Sequence, residues 1–125
     1  MDHYSETVME HFLDPQNRGG LVSPSGVGVS GVPGEGPFLV FQITCTESIV
    51  SAASFQSHNC GVTVASGSIL TTMVLGKTLE ECRQISAAEI IAALGGIPPD
   101  KQHAPQFAIL AMRQAVEEAT GGAAL

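Results

Sequence analysis

Residues 49–75 read "IVSAASFQSHNCGVTVASGSILTTMVL", and a change of pattern inside this stretch decides the fold. Up to Ser57 the residues suit a strand. From Gly61 the texture is that of a helix, with small and apolar residues continuing past Gly67 to a stop at Gly76. The small residues predict a helix packed closely against a sheet. The junction between the two elements holds His58, Asn59 and Cys60.

Working outward, "PFLVFQITC", residues 37–45, alternates, with Leu39, Phe41, Ile43 and Cys45 on one face. Thr46-Glu47-Ser48 can turn, so residues 49–57 return as an antiparallel partner. Gly26 to Val32 alternates weakly and predicts an edge strand. The result is a three-stranded antiparallel meander with one covered face. Before it, Tyr4, Val8 and Phe12 recur at helical spacing and predict a short helix ending before Asp14-Pro15. Residues 14–36 are rich in turn formers. After it, Thr78 with Glu81 and Ser86 with Glu89 are capping-box signatures for helices over 79–84 and 87–94. Residues 95–103 form a loop that its two prolines keep from being helical. Pro105 suits the first position of a last helix running to about Ala119, with "GGAAL" as a frayed end. No repeat, linker or second domain is visible. Residues 1–125 are expected to form one α+β two-layer domain, a sheet covered by helices.

Composition narrows the function. The chain has 125 residues, 44% hydrophobic and 14% charged, which predicts a globular core. Its net charge is −7, and its five basic residues (Arg18, Lys77, Arg83, Lys101 and Arg113) are scattered. Nucleic acid requires a clustered positive field, so it is not an expected partner. No apolar run reaches the roughly 20 residues of a membrane helix. The acidic amphipathic N-terminus lacks the basic start of a signal peptide, so a cytoplasmic location is expected. Three cysteines, with no CxxC pair, argue for reduced thiols rather than a disulfide framework.

The candidate chemical residues divide by position. Cys45, in phase with Phe41 and Ile43, and Cys82, in helical phase with Leu79 and Ile85, are expected in the core. His3 and His11, on or beside the first helix, are expected at the solvated surface. Cys60 is open to two readings. It is either a strand-end thiol packed under the helix, or a thiolate stabilised by the helix N-terminus as a ligand or nucleophile. Gly61 beside it allows a backbone or a metal to approach. His103 follows the double-proline loop and reads as a capping or site histidine. Glu35, in "VPGEGPF", projects from a glycine-flanked turn.

Taken in order, these segments resemble the iron–sulfur cluster assembly scaffold family, the IscU-like or NifU N-terminal domain. "YSETVMEHFLDPQNRGG" resembles that family's opening helix and Asn-Pro-x-Asn-x-Gly turn. "GVPGEGPFLVFQI" resembles its Gly-x-Pro-x-Cys-Gly-Asp loop and strand. "HNCGVTVASGSILTTMVLGKTLEE" resembles its central Gly-Cys-Gly helix start, and "IPPDKQHA" its Pro-Pro-x-Lys-x-His-Cys segment. The resemblance implies a three-stranded antiparallel sheet covered by helices, in agreement with the residue-level reading. It also implies a site, and here the chain departs from the pattern. Cys60 keeps the second of three family cysteines and His103 keeps the histidine. The first cysteine falls on Glu35, the aspartate on Pro37 and the third cysteine on Ala104. Lys101 is kept in the chaperone-binding motif, with Asp100 in place of the usual valine.

What remains is one thiolate and one aligned imidazole, short of the four ligands of a conventional cluster. Zinc or iron accepts mixed Cys, His and carboxylate donors. The resemblance therefore implies a single zinc or iron ion, more than a 2Fe–2S cluster, at Cys60, His103 and Glu35, with His58 as a fourth donor. The other readings are a persulfide acceptor on Cys60 served by a cysteine desulfurase, and a binding module without chemistry. An Hsp70-type chaperone would meet the Ile97–Lys101 loop. A homo-oligomer enters as a cluster shared between two chains through Cys60 and His103 of each. No serine–histidine–acid order, phosphate loop or paired carboxylate points to an independent enzyme.

Overall fold

A computed structural model describes residues 4–32, 38–57 and 61–124. Helix α1 spans Glu6–Leu13. Ser5 caps it, its side chain accepting from the Val8 N–H at 3.0 Å, while its hydroxyl donates to the Leu94 carbonyl. One serine thus starts the first helix and ties it to a later one.

Strands β1 (Gly26–Gly31), β2 (Phe38–Thr46) and β3 (Ile49–Ser57) form an antiparallel sheet in that order. The β2–β3 connection is tight: Thr46 pairs with Ile49, and Glu47 and Ser48 between them have φ of 55° and 66°. Two consecutive positive φ values are the mark of a type I′ turn, whose twist matches that of the strands. Leu39, Phe41 and Ile43 alternate into the core as expected. Cys45 departs from that phase. A register shift between Thr44 and Cys45 re-aims the strand, and Cys45 is half-buried, packed against the core rather than inside it.

Helix α2 (Gly61–Val74) carries no charge and is buried along most of its length, enclosed on several sides by α1, α4, α5 and the sheet. A Cβ on Gly67 would lie 2.6 Å from the Phe55 ring, so the absent side chain sets how closely α2 approaches β3. Short helices α3 (Leu79–Arg83) and α4 (Ala87–Ala93) both open with complete capping boxes, from Thr78/Glu81 and Ser86/Glu89.

The double-proline loop contains a 3-10 turn over Pro99–Lys101, with the prolines at its start, where no N–H is missed. Helix α5 then spans His103–Ala124. It begins two residues before Pro105 and runs through Gly121 and Gly122 instead of fraying after Ala119. Pro105 is tolerated because it still lies in the first turn, whose N–H groups have no helical partner. Each glycine costs only about 1 kcal/mol of helix propensity, which does not stop a long helix. Helix α5 lies across β1 and β2, and α2 lies against β3, so helices cover one face of the sheet. Side chains from every one of these strands and helices except β1 join a single apolar core. This is the expected α+β architecture.

Candidate functional site

The junction singled out in the sequence is anchored on both sides. Ser57, the last residue of β3, donates from Oγ to the Phe38 carbonyl at 3.0 Å, and its own carbonyl accepts from Arg18 Nη2 at 3.1 Å. Helix α2 starts at Gly61. A Cβ on Gly61 would meet the Phe12 ring at 3.2 Å, so this glycine admits an aromatic side chain from α1. Sequence reading reserved that space for a backbone or a metal. Arg18 and Phe12 carry no motif that marks them as supports of this junction.

Of the four candidate site residues, His103 is described: it is exposed and is the first residue of α5. Glu35, His58 and Cys60 lie outside the described residues. Among the described residues, no three or more His, Cys, Asp or Glu side chains are grouped as a metal would require. Ala104, beside His103, is fully buried, so its methyl packs in the core. Cys82 is buried as expected, and that burial pushes its thiol up to about 11. A thiol so placed stays protonated and inert near neutral pH.

A second cluster sits where α1 meets α2. His11, expected at the surface, is partly buried, with Nδ1 2.6 Å from Ser68 Oγ. Ser68 Oγ also accepts from the Gln16 N–H at 2.7 Å. The hydroxyl keeps one hydrogen and one lone pair, so it can donate to Nδ1 in one imidazole tautomer or accept from Nδ1–H in the other. Burial holds the imidazole below its ordinary value, against the opposing pull of Glu10. Asn17 adds a bond from Nδ2 to Thr71 Oγ1 at 3.0 Å. A cleft of about 350 Å³, lined by Glu10, His11, Leu13, Asp14 and Gln16, opens beside this cluster. Helical spacing alone gave no hint of it, because Ser68, the partner of His11, lies on another element.

The meander, the enclosed helix that follows its third strand, and a last helix opening on a histidine together define a class of α+β domain. The model of the NifU-like N-terminal domain matches residues 3–122, and the chain belongs to that family. It is 34% identical over 113 residues to an iron–sulfur cluster assembly scaffold protein IscU 1 of Archaeoglobus fulgidus, covering 90% of this chain and 74% of that one. It is 35% identical over 119 residues to the IscU scaffold protein of Haemophilus influenzae, covering 92% and 94%. Among solved structures, the N-terminal part of a NifU-like protein from Brucella abortus superposes with a TM-score of 0.73 at 15% identity, covering 94% of each chain. That likeness concerns the fold.

Proposed function

We propose that this chain, as a single domain, is a divergent iron–sulfur cluster assembly scaffold. In this reading it holds one zinc or iron ion, or a weak cluster, through Cys60, His103 and Glu35, with His58 as a fourth donor. Family membership over residues 3–122 carries the reading. His103 supports it by standing open to solvent at the head of α5. The donor set is mixed because Ala104, the residue after His103, contributes packing and no thiolate. A soft thiolate, an imidazole and a carboxylate suit zinc or ferrous iron. The partners in this reading are a cysteine desulfurase and, at the 3-10 turn of the Ile97–Lys101 loop, an Hsp70-type chaperone, in the cytoplasm. The test is the metal content of purified wild-type, Cys60→Ala and His103→Ala protein. One ion per chain in the wild type, lost in both variants, is expected. A metal-free wild type, or a Cys60→Ala variant that keeps its metal, overturns the reading.

A second reading rests on the thiols. Cys82 is buried and Cys45 packs against the core, which leaves Cys60 as the thiol at the family's site. Its thiolate would attack the terminal sulfur of a desulfurase persulfide, forming an S–S bond on Cys60 and releasing the desulfurase thiolate. Mass spectrometry after incubation with a cysteine desulfurase and cysteine should find one added sulfur on Cys60. An unchanged mass removes this alternative.

A further inference from the structure

The sheet has two edges, and they are closed differently. Along β3 the closure is mainly backbone: the Gly19 N–H donates to the Phe55 carbonyl at 2.8 Å, and the Phe55 N–H donates to the Asn17 carbonyl at 3.1 Å. Along β1 the closure is made by side chains of α5. The Val27 N–H donates to Glu118 Oε1 at 3.1 Å, and the Val29 N–H donates to Gln114 Oε1 at 3.0 Å. The spacing explains why two residues one helical turn apart can do this. Four helical residues rise about 6 Å, close to the roughly 6.7 Å between alternate residues of a strand. The two side-chain oxygens stand where the carbonyls of a fourth strand would accept.

The strand beneath them has the composition of an open template. Gly26–Gly31 reads Gly-Val-Gly-Val-Ser-Gly, without a charge or a proline to discourage pairing. Antiparallel to itself it is self-complementary. An incoming copy would bring a second Glu118 toward the first, so that carboxylate both occupies a donor and repels a like chain. We propose that Gln114 and Glu118 are edge guards that prevent β1 from pairing with β1 of a second copy of this chain. The surface they close is a latent self-association site.

The test is sedimentation equilibrium of the full chain. A Gln114→Ala/Glu118→Ala variant should self-associate at least about tenfold more tightly than the wild type. In that dimer the Val27 and Val29 amides should be protected from hydrogen exchange. Adding Val29→Pro, which removes one of the two donors, should return association to the wild-type level. A folded double variant that associates like the wild type overturns the proposal. So does a dimer with freely exchanging Val27 and Val29 amides, or one that survives Val29→Pro. One arm needs no variant to fold: in the wild type these two amides should exchange at least about tenfold more slowly than in an unstructured chain. Exchange at the unstructured rate at either amide also overturns the proposal.

Discussion

At the scale of single residues, His11 is the group whose chemistry the fold alters most. Its imidazole is partly withdrawn from water and is joined to Ser68, which also receives the Gln16 N–H. Protonation would place a positive charge on a ring partly withdrawn from water, which burial disfavours. Burial lowers the imidazole below its ordinary value of 6.5, with Glu10 acting against it. The unfolded chain therefore binds the proton more readily than the folded one. Stability is complete above about pH 6.5 and is lost as pH falls toward the folded value. The urea midpoint of the wild type should drop between about pH 7.5 and about pH 5.5, and His11→Gln should drop less. Equal drops would show that His11 contributes nothing to the acid limit. This residue was misplaced by sequence reading because its environment is supplied by Gln16 and by Ser68, 57 positions away. Cys82 was placed correctly because its burial follows from the period of its own helix.

At the scale of elements, the glycines of β1 set the distance to α5. A Cβ on Gly28 would lie 1.8 Å from the Ala111 carbonyl oxygen, and one on Gly26 would lie 1.9 Å from that of Ala115. These are backbone atoms of a helix, so a methyl group can be accommodated only by moving α5 off the sheet. Gly28→Ala should cost roughly 3 kcal/mol or more in chemical denaturation, at the upper end of overpacking effects. Gly121→Ala is the matched control: nothing lies within 4 Å of the point where its methyl group would stand, and it is helical. It should be neutral or stabilise by up to about 1 kcal/mol. If both variants behave alike, close approach of α5 is not what Gly28 provides. The caps of α3 and α4 were legible because a capping box is complete within four residues. The register shift at Thr44/Cys45 was not, because a bulge is defined only against the partner strand.

At the scale of the whole molecule, the chain carries a net charge of −7. Among the described residues the ion pairs are those of Arg83 with Glu80 at 3.0 Å and Glu117 at 2.9 Å, both to well-exposed carboxylates. Such exposed pairs contribute little, because water screens the charges and both side chains lose freedom. Repulsion among the remaining carboxylates should therefore outweigh them. Raising sodium chloride from about 0.01 M to about 0.15 M shortens the screening length from about 30 Å to about 8 Å and should raise the melting temperature. A fall on adding salt would mean that the ion pairs dominate. By itself the sequence determined the order of elements, the meander, both capping boxes and the family, because these depend on local periods and short motifs. Only the tertiary structure decided that Gly61 makes room for Phe12, that His11 is held by Ser68, and that α5 closes the edge of β1. Each of these is a contact between segments far apart in the chain, where no local period reaches. The stretch through Cys60 thus announced its strand and its helix, while the residues that brace its ends, Arg18 and Phe12, became visible only once the chain had folded back on itself.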